Sequence, residues 1–124
     1  MMYQDSPIAV LYGGTSKERE ISLLSGQAVY DSLHAQGYDV IKLDTQDTSF
    51  LEPLKAAKVQ RAFVALHGPG GEDGEVARVL AQHDISATGS CAQSSALAMD
   101  KMATKRIWQQ AQCCTPKACY VQDY

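Results

Sequence analysis

The sequence has no long apolar run and no block of basic residues. A helix that crosses a bilayer needs about 20 consecutive apolar residues. Residues 1–5 also lack the basic start and apolar core of a signal peptide. The net charge is −3 at pH 7, with acids and bases mixed along the chain, which argues against nucleic acid or an anionic membrane as a partner. We therefore expect a soluble, cytoplasmic protein that binds neither.

Cysteine is sparse and poorly placed for cross-links or metal. The chain has 4 cysteines and no C-x-x-C pair, and two adjacent cysteines are poor disulfide partners. Combining them with His67 or His83 matches no zinc-site spacing. We expect reduced thiols and no metal site at Cys91, Cys113, Cys114 or Cys119.

Both common nucleotide-binding fingerprints are missing. Residues 13–17 (GGTSK) lack the spacing of a phosphate loop, and residues 66–74 (LHGPGGEDG) do not fit G-x-G-x-x-G. Glu72 and Asp73 would also repel a phosphate. We expect these two acids to cap the helix that follows, since a helix N-terminus favours negative charge.

Short apolar runs alternate with helical patterns along the chain. This order predicts one α/β domain with an open, mostly parallel sheet and helices on both faces, in three layers. The predicted strands are 8–12, 38–43, 61–66 and a short one at 85–88; the predicted helices are 16–36, ended by Gly37, one from about Gly74, one or two turns after Ser90, and 100–112.

The corner after the first strand is the most informative stretch. Thr15 and Glu18 have the spacing of a capping box, and from the corner alone a structural cap is the favoured interpretation of Glu18. The alternative is that this carboxylate faces the crevice at the carboxyl ends of the strands, where ligands bind in parallel sheets, and holds a cationic group.

For two further residues, His67 and Lys101, both a structural and a functional interpretation are open. A histidine at a strand end, such as His67, is usually an ordinary hydrogen-bonded residue, but if the first and third strands are neighbours it shares a crevice with Glu18. Lys101 follows Asp100, a predicted N-cap, where the helix dipole disfavours a cation. It is either a solvated side chain or a contact for an anion.

Three segments together resemble the N-terminal domain of bacterial D-alanine–D-alanine ligases, which are ATP-grasp enzymes. They are 13–22 (GGTSKEREIS), 66–74 (LHGPGGEDG) and 94–101 (SSALAMDK), and the resemblance extends from about residue 7 to residue 121. It implies a Rossmann-like domain that precedes the ATP-grasp domains. With this resemblance, substrate binding becomes the favoured interpretation of Glu18, and the capping box would hold its carboxylate in place.

The resemblance implies a reaction and a role for each matching residue. The carboxylate of a first D-alanine takes the γ-phosphoryl group of ATP, and the amine of a second D-alanine displaces phosphate to form the dipeptide of peptidoglycan. Glu18 would bind the ammonium of the first D-alanine, Ile21 would lie near its methyl group, and His67 beside the same substrate, with Glu18 and His67 as the catalytic candidates. Lys101 would approach the ATP phosphates.

Parts of the family pattern are missing or altered. Ala77 and Arg78 stand where such ligases often carry glutamine and a small residue, which puts the local helix packing in question. The central and C-terminal ATP-grasp domains, with the ligands for Mg2+ or Mn2+, are not found in residues 1–124. We expect this chain to be the N-terminal domain of a homodimeric enzyme and inactive alone.

A second hypothesis is a stand-alone, non-catalytic module that binds a small ligand or dimerises. Residues 117–121 look like the start of another strand, which argues for a domain boundary and against a finished module. Within the enzyme class, a ligase that joins D-alanine to D-lactate or D-serine remains open, because the second substrate is chosen by residues beyond Tyr124.

Overall fold

The computed structural model describes residues 6–121. It contains four strands and five helices in that range. The strands are β1 (Ile8–Tyr12), β2 (Val40–Asp44), β3 (Arg61–Val64) and β4 (Ser86–Ala87), and the helices are α1 (Arg19–Ala35), α2 (Leu51–Ala56), α3 (Glu75–Ala81), α4 (Ala92–Met99) and α5 (Lys101–Gln110).

The four strands form one parallel sheet in the order β2-β1-β3-β4. In the register, Leu11 of β1 lies opposite Leu43 of β2 and Val64 of β3. Two apolar strands with glycine loops after them are therefore neighbours at the centre of the sheet. The predicted parallel α/β architecture is confirmed.

Helices cover both faces of the sheet, because side chains alternate along β1. Ala9 and Leu11 point into a cluster that contains Leu54 of α2 and Leu80 of α3. Val10 points the other way, into a cluster completed by α1. Ala9, Val10 and Leu11 are fully buried, so β1 is the centre of a three-layer core.

Helix α1 packs unusually close to β1. Gly26 is buried in α1, and a methyl group added there would overlap the side chain of Tyr12. The helix ends at Ala35, and Gly37 follows with φ 84°, which confirms the predicted left-handed glycine stop. This close packing fixes the position of the first turn of α1 relative to the ends of β1 and β3.

The capping box predicted for Thr15 and Glu18 is wrong. Glu18 itself is the N-cap of α1, and its side chain makes no cap hydrogen bond. Instead, the hydroxyl of Ser16 accepts the Glu18 N–H at 3.1 Å. The N-cap of α1 lies three positions after Thr15, so the Glu18 carboxylate is not used by the helix.

Three predictions concern the second half of the chain. Asp100 caps α5 as predicted, because its carboxylate accepts the Ala103 N–H at 2.9 Å. The strand predicted at 117–121 is wrong: residues 113–121 form no strand or helix and pair with no strand of the sheet. The argument from that strand against a stand-alone module is therefore lost. Arg78 is exposed on α3, so the packing of this helix through Val76 and Leu80 is not disturbed.

Candidate functional site

The carboxyl ends of β1 and β3 lie side by side and are joined by one buried hydroxyl. Ser22, in the first turns of α1, is fully buried. Its Oγ donates to the Ala65 carbonyl at 2.7 Å and accepts the Gly13 N–H at 2.9 Å. The hydroxyl thus ties helix α1 to the loops that follow both strands, and it holds the mouth of the crevice at a fixed width.

An ion pair closes the β1–α1 turn from the β2 side. The Arg19 guanidinium contacts both carboxylate oxygens of Asp44, at 2.9 and 2.6 Å, and donates to the Gly14 carbonyl at 2.9 Å. The side-chain hydrogen bond from Arg19 lowers the pKa of Asp44 from 3.8 to about 2, and hydrogen bonds from the Gln46 and Gly14 amides add to this effect. The same hydrogen bond raises the pKa of Arg19.

Gly13 is required by this arrangement. Its φ is 74°, and a methyl group there would collide with the Asp44 carboxylate and with Nη1 of Arg19. A left-handed conformation and a crowded site both exclude a larger residue. The glycine pair therefore serves a backbone turn around an ion pair and does not form a phosphate cradle.

The carboxylate of Glu18 lies over the loop that follows β3. A methyl group built on Gly68 would be 2.5 Å from Oε2 of Glu18 and 3.3 Å from Oγ of Ser16. The Ser16 hydroxyl donates to the His67 carbonyl at 2.7 Å. These contacts place Glu18 beside the residue next to His67, so the two predicted site residues lie on the same rim of the sheet.

The Glu18 carboxylate is exposed and accepts no hydrogen bond or ion pair from any residue between 6 and 121. An acidic side chain that neither caps the helix nor meets a cation is available to a ligand. Ile21 lies one helical turn further along α1 and is 56% exposed. The rim thus presents a carboxylate and an exposed apolar side chain, a combination that suits a small ligand with a cationic and an apolar group.

His67 is held by contacts from two elements. Its Nε2 lies 3.0 Å from Oγ of Ser25 in α1, and its Nδ1 lies 3.9 Å from Oε1 of Glu72 in the following loop. The imidazole is therefore partly buried between α1 and the loop after β3. The prediction that Glu72 caps α3 is wrong, because this side chain is turned towards the histidine.

Asp73 takes the structural role that was predicted for the acidic pair. Its carboxylate accepts the Gly70 N–H at 2.9 Å and the Glu75 N–H at 3.1 Å. Glu75 is the first residue of α3. One acid thus stabilises the loop and the start of the helix, and the other is free to face the crevice.

Lys101 does not join this group. It is exposed at the start of α5, which packs against α4. Its ammonium forms no hydrogen bond or ion pair with another residue of the described chain. The structure therefore brings Glu18 and His67 to one rim, with Ile21 exposed on the next turn of α1, and leaves Lys101 on a separate helix.

A cavity of about 390 Å3, lined in part by Ser16 and His67 of the rim, opens between the loops and helices α2 and α3. Glu18 does not line it. Its walls are apolar towards the core and carry hydroxyl and amide groups at the mouth; they include Phe50, Leu51, Leu66 and Val76 on the apolar side and Thr45, Gln46 and Thr48 on the polar side.

Several contacts of the site were not predicted from the sequence. Ser22 and Ser25 lie four and seven residues after Glu18 and so fall on the same face of α1. Small polar residues that interrupt an apolar helix face are a signal for such contacts, but their partners, Ala65 and His67, are more than 40 residues away in the chain. Only the fold identifies these partners.

In the part of the chain that the structure describes, no group of three or more His, Cys, Asp or Glu side chains is placed to hold a metal ion. The four cysteines are free and exposed. No helix between residues 6 and 121 is long and apolar enough to cross a membrane.

The fold and the rim define a parallel α/β domain with a ligand corner between its two central strands. Comparison with known proteins agrees. Residues 7–55 match the family model described as D-ala D-ala ligase N-terminus. Over this segment the chain is similar to the N-terminal domain of D-alanine–D-alanine ligases.

Full-length relatives are much longer than this chain. It is 50% identical over 110 residues to D-alanine–D-alanine ligase B of Pseudomonas putida, covering 89% of this chain and 34% of that protein. It is 43% identical over 120 residues to the D-alanine–D-alanine ligase of Francisella tularensis subsp. novicida, covering 97% and 40%. The chain thus spans little more than a third of the curated relatives that it matches.

Solved structures show the same fold. The D-alanine–D-alanine ligase of Bacillus anthracis, crystallised with ATP, superposes with a TM-score of 0.81 at 32% identity, over 90% of this chain and 38% of that one. The VanG D-Ala:D-Ser ligase of Enterococcus faecalis superposes with a TM-score of 0.74 at 26% identity, over 92% and 44%.

Proposed function

We propose that this chain is the N-terminal, substrate-binding domain of an ATP-dependent D-alanine–D-alanine ligase of peptidoglycan synthesis. The observation that carries the proposal is the unpaired carboxylate of Glu18, which lies over Gly68 on the same rim as His67. The likeness to ligases of known reaction gives this carboxylate its ligand, the ammonium of the first D-alanine.

The proposed subsite uses three side chains. Glu18 binds the ammonium group, because an ion pair in a site closed from water is much stronger than one at a surface. Ile21, exposed on the next turn of α1, contacts the methyl group. His67 lies beside the substrate, held in place by Ser25. The substrate carboxylate would then point away from Glu18, towards the phosphoryl donor.

The remaining parts of the reaction belong to domains outside this chain. ATP is bound by central and C-terminal ATP-grasp domains, and Lys101 reaches the ATP phosphates from the N-terminal domain; its free ammonium fits a polyphosphate anion. The Mg2+ or Mn2+ ligands are proposed to belong to the same ATP-grasp domains; among residues 6–121 no metal-binding cluster is found. We further propose a cytoplasmic location and a homodimer for the whole enzyme.

A chimeric enzyme tests this proposal. The matching N-terminal segment of the Pseudomonas putida ligase is replaced by the aligned residues of this chain, and phosphate release and dipeptide formation are measured with D-alanine, ATP and Mg2+. We expect an active chimera in which Glu18→Gln raises the KM of the first D-alanine at least about tenfold, because the ammonium loses its counter-charge. Glu20→Gln, which neutralises an exposed acid two residues away, is the matched control and should leave KM unchanged.

Three results would contradict the proposal. They are unchanged kinetics of the Glu18→Gln chimera, a folded but inactive chimera, and turnover by the isolated 124-residue chain close to that of an intact ligase. Calorimetry of the isolated chain addresses the stand-alone module: we expect D-alanine to bind weakly or not at all, because half of its site is missing. Micromolar binding would favour the module.

A further inference from the structure

The hydroxyl of Ser25 makes an uncommon contact for a serine inside a helix. Such hydroxyls usually return to a backbone carbonyl of the preceding turn or point to water. Here Oγ of Ser25 lies 3.0 Å from Nε2 of His67, which is 42 residues away in the chain. The contact is partly buried, so the two side chains hold each other at the edge of the crevice.

Helix α1 and the turn before it contact the loop after β3 at three further points. Ser16 donates to the His67 carbonyl, Glu18 lies over Gly68, and Ser22 donates to the Ala65 carbonyl. The backbone around His67 is therefore held by other residues. Ser25 is the residue of α1 whose side chain hydrogen-bonds to the imidazole ring. The effect of Ser25 on ring orientation can therefore be separated from its effect on the fold.

The second ring nitrogen faces a carboxylate. Nδ1 of His67 lies 3.9 Å from Oε1 of Glu72, too far for a direct hydrogen bond but close enough for electrostatic preference. If Nδ1 were unprotonated, its lone pair would face the negatively charged oxygen and be repelled by it. If Nδ1 carries the proton, its N–H is attracted to that oxygen. When the imidazole is neutral, the proton therefore belongs on Nδ1, and Nε2 accepts the Ser25 hydroxyl hydrogen.

We propose that Ser25 is a positioning residue, which, with Glu72, holds His67 in the tautomer protonated on Nδ1 and with its ring fixed against α1. The consequence for catalysis rests on the proposed function, but the tautomer does not. A hydroxyl can donate to a neutral ring and accept from a protonated one. Ser25 thus keeps the ring in the same place in both protonation states, so the surface beside Glu18 that contacts the substrate does not change.

The tautomer can be measured on the chain as it exists. Long-range 15N–1H NMR spectra at about pH 8.5, well above the ordinary histidine pKa of about 6.5, report which ring nitrogen carries the proton. The exposed side chains of His34 and His83 serve as internal references, and His67→Gln assigns the third signal. We expect His67 to show the Nδ1–H pattern, distinct from both references.

Variants separate the hydroxyl from the shape of the side chain. Ser25→Ala should free the ring to turn away from Glu72, which moves the His67 signals towards the mixture shown by the exposed histidines, and Ser25→Thr should restore the wild-type pattern. Ser32→Ala, at an exposed position of the same helix, is the control and should change nothing at His67. If Ser25→Ala fails to fold, the His67 spectra of Ser25→Thr and Ser25→Val are compared instead. These two side chains have the same shape, and only threonine has the hydroxyl. An Nδ1 pattern that is absent in the wild type, or unchanged without the hydroxyl, overturns the proposal.

In the chimeric ligase we expect Ser25→Ala to lower kcat/KM for the first D-alanine about threefold to tenfold, the range of one net hydrogen bond, and Ser25→Thr to recover most of it. An Nδ1 pattern that depends on Ser25, together with an inactive wild-type chimera, would contradict the proposed function and leave the tautomer assignment standing. An active chimera, together with a His67 spectrum that does not change in Ser25→Ala, would support the proposed function and contradict the tautomer assignment.

Discussion

Arg19 and Asp44 form a two-point ion pair across the β1–α1 turn, with Nη2 and Oδ2 2.6 Å apart. The pair also engages the Gly14 backbone from both sides, through its carbonyl and its N–H. The residue before Arg19 is Glu18, and the strand that ends in Asp44 is β2. The ion pair therefore fixes the backbone that carries the candidate ligand carboxylate to the edge of the sheet.

Asp44→Asn should lower the free energy of unfolding by about 1 kcal/mol. The low pKa of Asp44 sets an upper limit of roughly 2.5 kcal/mol, and solvent screening at a side chain that is 29% exposed reduces it. Urea unfolding measures the change. Asp39→Asn is the control: Asp39 is exposed and should change stability by less than about 0.5 kcal/mol.

The same variant predicts a pH dependence. Because the pKa of Asp44 is lower in the folded state, about 2 against 3.8, its contribution is complete above the unfolded value and is lost as the pH falls towards 2. The difference in stability between the wild type and Asp44→Asn should be constant from about pH 5 to 7 and shrink below about pH 4. A difference that persists undiminished at the lowest pH would refute this origin.

Ser22→Ala should destabilise the domain by roughly 2 kcal/mol, because the Gly13 N–H and the Ala65 carbonyl both lose a buried partner. The same substitution at the exposed Ser32 should have an effect within about 0.5 kcal/mol. Equal midpoints of urea denaturation for the two variants would show that water replaces the hydroxyl at no cost. Such a result would show that the Ser22 hydroxyl is not needed to hold the two loops together.

Gly26→Ala tests the close packing of α1 on β1. In an ordinary helix this substitution is stabilising, by about 0.5–1 kcal/mol. Here the added methyl group overlaps the side chain of Tyr12, so we expect a loss of about 1–3 kcal/mol, measured by thermal unfolding. Combining it with Tyr12→Ala should recover part of the loss, since the overlapping ring is then absent. A stabilised Gly26→Ala variant would mean that the helix lies further from the sheet.

The sequence by itself determined the order of elements and the two loops of the site. Apolar runs of four to six residues that lead into glycine-rich loops predict buried parallel strands, and local signals such as Gly37 and Asp100 mark helix ends. These signals are short-range, so they are readable without the fold. The one strand that was predicted in error, at 117–121, has the local pattern but no partner strand, and pairing is not a local property.

Only the tertiary structure decided which polar groups are used by the fold and which remain for a ligand. Glu18 fits a capping motif in sequence, yet the N-cap of α1 lies three residues after Thr15, and Ser16 supplies the contact to the Glu18 N–H. Glu72 and Asp73 are adjacent and chemically alike, but one faces His67 and the other stabilises the start of α3. The physical reason is that a hydrogen-bonding group pairs with the nearest suitable partner in space, and the partners of α1 come from the loop after β3, more than 40 residues away in the chain.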